Sequence, residues 1–502
     1  MSARGATIGV DVGTSGCKAV LLGTDGCVVH TAVDSYQTRR SIGGEVTQDA
    51  RDWLRAVRST IRSCAQAADG RSIDGIGVTA PAHVGVLTDA DGNPLARSLL
   101  AFDGRPARVV EPLRQRYGDE YFARTFVDLS ASWTLPQLVW LREEAPELWP
   151  RIRYLLTQKD WIRYQLTGVA LIDRSDAAGT GMVDQRAGRW IGEICGDVGL
   201  SPHQLPEIVA STASGGTLLR TCARVLGVKS GIPIVVGATD TAAELVSVGA
   251  SRAGHSLVKI ASTGTVVGVS RTPMARSGLL TYPHAVPGLW YTLGATNAAA
   301  VAYQWLRETV FARPADVPAV AYEEMDRCAA AAPAGAGGVM FLPYLQGERT
   351  PFWDPRLRAA FLGISSGHTR DHLARAVLEG VAFALRDCSN AVEAAGLPVR
   401  HPYLAGGGTS SRLWRRILVS ALGQQARLAD PQGPAVGAAI LAAAIGARTR
   451  SDLVRRSPRP SIREVKPNAE WSRRYDAMYP IYQRAAQQLA SVSHDLVAVG
   501  HR

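Results

Sequence analysis

IGVDVGTSGCKAVLL, from Ile8 to Leu22, is a strand, a glycine–threonine turn and a second strand. The apolar run Ile8–Val10 carries a carboxylate, Asp11, to the lip of the turn. Gly13 and Gly16 let backbone N–H groups come close to an anion, and the hydroxyls of Thr14 and Ser15 add neutral donors, so the turn can hold phosphate without a cation. It is not a P-loop. GxxxxGK[ST] is absent, and a strand follows where a P-loop has the helix whose N-terminus cradles phosphate. A matching turn, Ser262-Thr263-Gly264-Thr265, follows the apolar run Leu257–Ala261 and leads into a second run of small and β-branched residues. Two such turns in two halves of one chain predict a nucleotide clamped between related domains, and with it an ATP-using enzyme.

The rest of the composition is compatible with that reading. A chain of 502 residues favours two large domains or three smaller ones, and 46% hydrophobic residues supply substantial cores. The 50 glycines sit mostly in turns between apolar runs, as in a folded α/β protein. The net charge of +11 comes from scattered arginines. Its densest stretch, Arg448 to Lys466 with Arg455, Arg456, Arg459 and Arg463, lacks interleaved aromatics and contains Pro458 and Pro460. It reads as a solvated connecting loop, not a nucleic-acid arm. The basic surface helps attract ATP and phosphorylated products. Seven dispersed cysteines without a CxxC pair predict reduced thiols in the cytoplasm, with no disulfide framework and no zinc site. The N-terminus runs straight into a strand, so no signal peptide is expected. The longest apolar run, Ala435–Ala447, is shorter than the roughly 20 residues of a membrane span and reads as a buried helix.

Periodicity gives the outline of the chain. Three strands from Ala6 to Val33 form an antiparallel meander, broken by Gly13–Gly16 and Gly23–Gly26. A helix is expected over 52–68, strands over 73–79 and 84–88, and mainly helices from Pro106 to Thr167, with Leu135, Leu138, Val139 and Trp140 on one stripe. A buried strand, Ile232–Gly237, delivers Asp240. A second domain opens near Ser251, dividing the chain into 1–250 and 251–502. It carries helices over 298–311, 371–394 and 412–423, a strand over 402–404, and a last helix, Trp471–Leu489, that closes the chain.

Four positions bear on chemistry. Asp11, ending a buried strand beside phosphate-binding groups, is placed to hold Mg²⁺ through water. Asp240, in Gly237-Ala238-Thr239-Asp240-Thr241, stands where a strand ends and a helix begins. A helix cap is the common reading, but phosphoryl transfer to a hydroxyl needs a carboxylate that receives the proton and aligns the nucleophile. Gly406-Gly407-Gly408-Thr409-Ser410-Ser411 is either a tight strand-to-helix connection or a bare surface under a purine ring. His83 by itself reads as a satisfied histidine.

Together these segments resemble the FGGY family of carbohydrate kinases, within the actin, Hsp70 and sugar kinase superfamily, and its xylulokinase members most closely. The resemblance spans Ile8 to about Leu489. It rests on IGVDVGTSGCKAVLL, SDAAGT at Ser175–Thr180, GATDTAA at Gly237–Ala243, FLPYLQGERTP at Phe341–Pro351 and LAGGGTSSRLWRRIL at Leu404–Leu418. It implies two ribonuclease H-like (actin-like ATPase) domains of α/β class with a cleft between them. The implied reaction is ATP- and Mg²⁺-dependent phosphorylation of a small sugar hydroxyl, with a ketopentose such as xylulose foremost and ribulose, another pentulose, a pentitol, a tetrose derivative or glycerol as alternatives. By that resemblance Asp240 is the catalytic base, and Asp11 lies near Mg²⁺, with both carboxylates reaching the metal through water. Gly13, Thr14, Ser15 and Lys18 face the phosphates, Thr263, Gly264 and Thr265 form the second turn, and Gly407, Gly408 and Ser411 lie beside the adenosine. Ala82, His83, Asp103 and Arg105 line the sugar site. The departures lie there too: Pro81-Ala82 stand where family members carry Gln-Met, and Ala101-Phe102 where they carry Trp-Asn. The different-class alternatives are a catalytically silent sugar sensor and an actin-like ATPase. Nucleic acid and membrane are not expected partners, and a homodimer is open, dimers being common among similar kinases.

Overall fold

The computed structural model describes residues 5–41, 43–313, 320–456 and 460–500. The opening stretch folds as read. β1 (Gly5–Val12), β2 (Gly16–Gly23) and β3 (Val28–Ser35) form an antiparallel meander. In β1, Ile8 and Val10 are wholly buried, and the strand is covered on both faces, which is why the run is apolar without alternation. β4 (Ser72–Ala80) lies parallel to β1. With β5 (Ser214–Thr217), β6 (Pro233–Val235) and β7 (Ala238–Thr239) they make a seven-stranded sheet of order β5-β6-β4-β1-β2-β3, in which β7 also pairs with β4.

The second half repeats the plan. β8 (Ser256–Ile260) and β9 (Gly264–Ser270) form the hairpin, β10 (Leu280–Pro283) and β11 (Trp290–Thr296) extend it, and β12 (Tyr403–Ala405) lies parallel to β8 as β4 does to β1. β13 (Ala426–Asp430) and β14 (Ser461–Val465) complete a seven-stranded sheet of order β10-β11-β9-β8-β12-β13-β14.

Helices pack on both sheets. α1 (Ala50–Gln66) turns Trp53, Val57, Ile61 and Cys64 toward the first sheet at helical spacing, and the Asp49 carboxylate caps its start by accepting the Arg51 N–H. α2 (Asp240–Ser247) leaves the end of β7, α3 (Ala300–Thr309) follows β11, and α4 (Arg370–Ala394) and α5 (Arg412–Ala421) flank β12 in the chain.

The apolar run near residue 440 is α6 (Pro434–Ala443), and its partner is the first sheet, although it belongs to the second half of the chain. It comes close because glycines face it. A Cβ on Gly9 would fall 1.9 Å from the Ala435 carbonyl, one on Gly77 2.1 Å from that of Ala438, and one on Gly437 1.8 Å from that of Ala243 in α2. α2 and α6 therefore cross backbone to backbone, and the Thr7 hydroxyl donates to the Ala439 carbonyl at 3.0 Å. This crossing joins the two halves directly beneath Asp240.

Several expectations are corrected. The Arg448–Lys466 stretch is not a simple loop, since it holds α7 (Arg450–Arg456) and the edge strand β14; Pro458 and Arg459 lie outside the described residues. The chain does not close on its tyrosine-rich helix: α8 (Ala469–Gln488) is followed by α9 (Ala490–Gly500). Within the helical region, Tyr154–Thr157 is a strand that pairs with Gly85–Thr88. The strand before Asp240 is interrupted at Gly237, whose φ of 84° bends the chain between β6 and β7. All seven cysteines are free. Among the described residues, no helix is long and apolar enough to cross a membrane.

Candidate active site

Both hairpin turns, the start of α2 and the glycine loop after β12 open onto one cleft of about 730 Å³. The first turn is tied back from behind. Gln48 Nε2 donates to the Thr14 carbonyl at 2.8 Å, and the Tyr36 hydroxyl donates to the Gly13 carbonyl. With its carbonyls held from behind, the turn presents Gly13 and Thr14 on the cleft wall beside Asp11. Lys18 stands opposite Asp11 in the β1–β2 register and also lines the cleft. The second turn is anchored in the same way, the Ser262 carbonyl accepting the N–H groups of Ala299 and Val301 at 2.9 and 3.3 Å.

Asp240 is the first residue of α2, with Thr239 in the capping position. Its Oδ1 accepts the Thr241 N–H at 2.6 Å, and its side chain is 28% exposed, toward the cleft. A buried chain of polar groups supports the peptide just before it. Ser175 Oγ accepts the Thr239 N–H at 3.1 Å and donates to Asp173 Oδ2 at 2.7 Å, and Ser211 Oγ donates to the same oxygen at 2.9 Å. Asp173 in turn lies 3.0 Å from the ammonium of Lys159, which also reaches Asp160 at 2.7 Å and Asp176 at 3.3 Å. Burial works against the Lys159 charge, but the three carboxylates, Asp160 first, hold it above the ordinary lysine range. Thr157 Oγ1 lies 2.7 Å from Asp160 and 2.8 Å from Asp176, yet has one proton to give. Burial raises Asp176 to about 7, against the pull of Lys159.

Asp11 is half-buried. Burial first and the Asp240 carboxylate second raise it to about 7. Two such carboxylates do not make a protein cage, and no group of three or more His, Cys, Asp or Glu that could hold a metal occurs among the described residues. The donor set suits Mg²⁺, which keeps several waters and takes one or two carboxylates together with substrate phosphates.

Another wall of the cleft is built around His83, whose φ of 77° is in the left-handed region that few non-glycine residues adopt. Its Nδ1–H donates to the Gly179 carbonyl at 2.7 Å, and its ring meets Trp133 edge-on with centroids 4.0 Å apart. Gly179 is glycine because a Cβ there would lie 3.0 Å from Ala82 Cβ and 3.3 Å from His83 Nδ1. One motif, Ser175 to Thr180, thus steadies both His83 and the approach to Asp240. Nε2 of His83, 3.4 Å from the Tyr282 hydroxyl, is left as an acceptor. Burial depresses His83 from 6.5 to about 3, against the bond to Gly179 and with a small push from Arg349. Since the unfolded chain takes the proton first, the His83 contribution to stability is intact above 6.5 and is lost as pH falls from 6.5 toward 3. Urea melts of wild type and His83→Asn are expected to shift by about 1–2 kcal/mol against the wild type between pH 8 and pH 5. A difference constant with pH would mean that His83 titrates in the fold as it does in the unfolded chain.

Beside the glycine loop the cleft offers Gly407 and Gly433, where an added Cβ would meet nothing within 4 Å, and Gln432, whose Oε1 is buried without a hydrogen-bond partner. An acceptor shut from water and left unpaired asks for a donor, which an exocyclic amine provides.

The structure does not bring every expected residue to the cleft. Asp103 is fully buried elsewhere: its carboxylate accepts the Val46 N–H at 2.9 Å and two guanidinium bonds from Arg105 at 2.9 and 2.8 Å. Arg105 also stacks over Trp140 at 4.4 Å. The pair braces the wall from which Ala101 and Phe102 face the cleft. Ser15 is exposed away from the cleft. Gly264 packs against Thr296 and Leu385, and Gly408 against Ile260 and Trp414, while Ser411 caps α5 by accepting the Trp414 N–H at 3.0 Å. Ala82, His83, Thr263, Thr265 and Gly407 do line it. Sequence reasoning missed Lys259, Glu244, Arg349 and Gln432. A lysine inside the apolar run Leu257–Ala261 was the available signal for the first. Arg349 sits in the quoted FLPYLQGERTP segment and lines the cleft with its Nε buried and unpartnered.

Residues 6–247 match the N-terminal domain, and 257–445 the C-terminal domain, of the FGGY family of carbohydrate kinases. The chain is 31% identical over 487 residues to a xylulose kinase of Escherichia coli, covering 96% of this chain and 99% of that protein. It is 30% identical over 444 residues to a xylulose kinase of Bacillus subtilis, covering 87% of each. The crystal structure of a xylulose kinase from Rhodospirillum rubrum superposes with a TM-score of 0.85 at 29% identity, covering 97% of this chain and all of that one.

Proposed function

This chain belongs to the FGGY family of carbohydrate kinases, and on that premise we propose that it transfers the γ-phosphoryl group of ATP to a hydroxyl of a ketopentose such as xylulose. The observation that carries the proposal is Asp240. A partly exposed carboxylate at a helix start lies in the same cleft as two glycine–threonine turns, with a neutral histidine acceptor, His83, on the wall. Asp240 takes the proton of the acceptor hydroxyl as the new oxygen–phosphorus bond forms and the bond from Pγ to the bridging oxygen of ADP breaks. Gly13, Thr14, Thr263 and Thr265 hold the phosphates, and the Gly407 surface with Gln432 receives the adenine. Asp11 and Asp240 would hold Mg²⁺ through water, and the bound ion would supply charge neutralisation on the phosphates.

His83 Nε2 accepts from a sugar hydroxyl, and closure of the halves about the α2–α6 crossing excludes water from the acceptor position. With Ala82 small and Phe102 apolar on the same wall, the pocket selects by which hydroxyls it can satisfy.

The test is ADP release from ATP–Mg²⁺ across pentuloses, hexuloses, polyols, glycerol and a sugar acid. Highest kcat/KM on a pentulose is expected. Preference for the sugar acid would reassign the acceptor toward the unpaired guanidinium of Arg349, and turnover independent of any acceptor would overturn the kinase reading.

A further inference from the structure

Lys259 projects from β8, in the second half of the chain, into a corner of the cleft built by the first half. Its Nζ lies 2.6 Å from Glu244 Oε2 and 3.9 Å from Asp240 Oδ2. Glu244 and Asp240 are four residues apart on α2, so both carboxylates share one helix face. The Lys259 side chain is 14% exposed and that of Glu244 only 2%, so this is a mostly buried ion pair with one side open to the cleft. The strand register sets the lysine opposite Thr265 on one side and Ala405 on the other. Its ammonium therefore stands between the second phosphate turn, the glycine loop and Asp240.

The charge at this depth is unbalanced. Asp11 comes from β1, Asp240 and Glu244 from α2, and the cations acting on Asp11 are Lys259 and Lys18. Lys18 is exposed on the cleft rim. The neighbouring hydroxyls of Tyr282 and Tyr291 are held neutral, by burial before anything else. A triphosphate entering a corner with three carboxylates meets repulsion unless a cation at the same depth offsets it. An ammonium on a flexible stem is a compact point charge able to move between a carboxylate and a phosphate.

We propose that Lys259 is a ligand of the γ-phosphoryl group, held by Glu244 before nucleotide binds and drawn toward the terminal phosphate when ATP binds. The proposal rests on the kinase reading but does not follow from it, since the two turns and Mg²⁺ would bind phosphate without a lysine.

The test is calorimetric, in Mg²⁺, with ADP and a non-hydrolysable ATP analogue as the two probes. Lys259→Met strands the Glu244 carboxylate, so Lys259→Met/Glu244→Gln, which removes both charges together, is measured beside it, with Lys259→Arg as the conservative variant. Both neutral variants are expected to weaken the ATP analogue by about 10–100-fold and ADP by less than about threefold, with most of the loss restored by arginine. Equal weakening of both nucleotides, or of neither, would overturn the assignment while leaving the kinase reading in place. Wild-type protein that binds neither probe would overturn the kinase reading itself.

Discussion

Asp240→Asn is expected to lower kcat by about a hundred- to ten-thousand-fold while leaving the affinity for ATP–Mg²⁺ within a few-fold of wild type. The amide keeps the size of the side chain and an oxygen to accept the Thr241 N–H, so the helix start survives. It has no means of receiving the hydroxyl proton, and positioning alone remains. The expected split is informative, because on this proposal groups from both halves of the chain would hold the nucleotide, and Asp240 would add to that only through Mg²⁺ and water. Single-turnover rates and equilibrium nucleotide binding on the same preparation measure it. Near-normal turnover in Asp240→Asn would remove Asp240 from the reaction, and a parallel collapse of nucleotide affinity would make it chiefly a metal-binding residue.

The second large effect is on stability. Lys159→Met should cost about 3–5 kcal/mol in urea or thermal unfolding, because it leaves Asp160, Asp173 and Asp176 buried without their shared ammonium. Arg163 does not replace it, since its guanidinium reaches only Asp160, at 3.4 Å, and otherwise serves the carbonyls of Val169, Gly215 and Leu171. The loss is expected to pass along Asp173 and Ser175 to the Thr239 N–H, so folded variant protein should also turn over more slowly than wild type. Lys159→Met/Asp173→Asn, with one carboxylate fewer, should recover part of the stability. A single variant that unfolds within about 1 kcal/mol of wild type would show that the cluster is neutral in the fold.

The parts of the site that rest on neighbouring residues were legible in the sequence. Asp11 with Gly13 and Thr14, Thr263 with Thr265, and Asp240 at a strand–helix junction are each a few residues of turn chemistry, and the structure places them in one cleft. What depended on contacts between distant segments was not legible. Asp103 and Arg105 are two residues apart, but the Val46 N–H that helps saturate the carboxylate comes from 57 residues away. The run Ala435–Ala447 reads as a buried helix from composition alone, whereas its seat on Gly9 and Gly77 of the first sheet depends on a crossing that no local pattern encodes. Arg448–Lys466 was misjudged because proline and arginine density masked a short edge strand, where exposed charge is ordinary. Lys259 was passed over because a lone lysine in a buried strand has no partner in its own segment; Glu244 lies in the other half of the fold.

The most direct test of the central claim is a ³¹P NMR time course of wild-type protein with ATP, Mg²⁺ and D-xylulose. A sugar phosphomonoester resonance growing in step with ADP, one for one, is the predicted result. ADP accompanied by inorganic phosphate with no phosphomonoester, whichever sugar is supplied, would contradict it and identify the cleft as that of an ATPase.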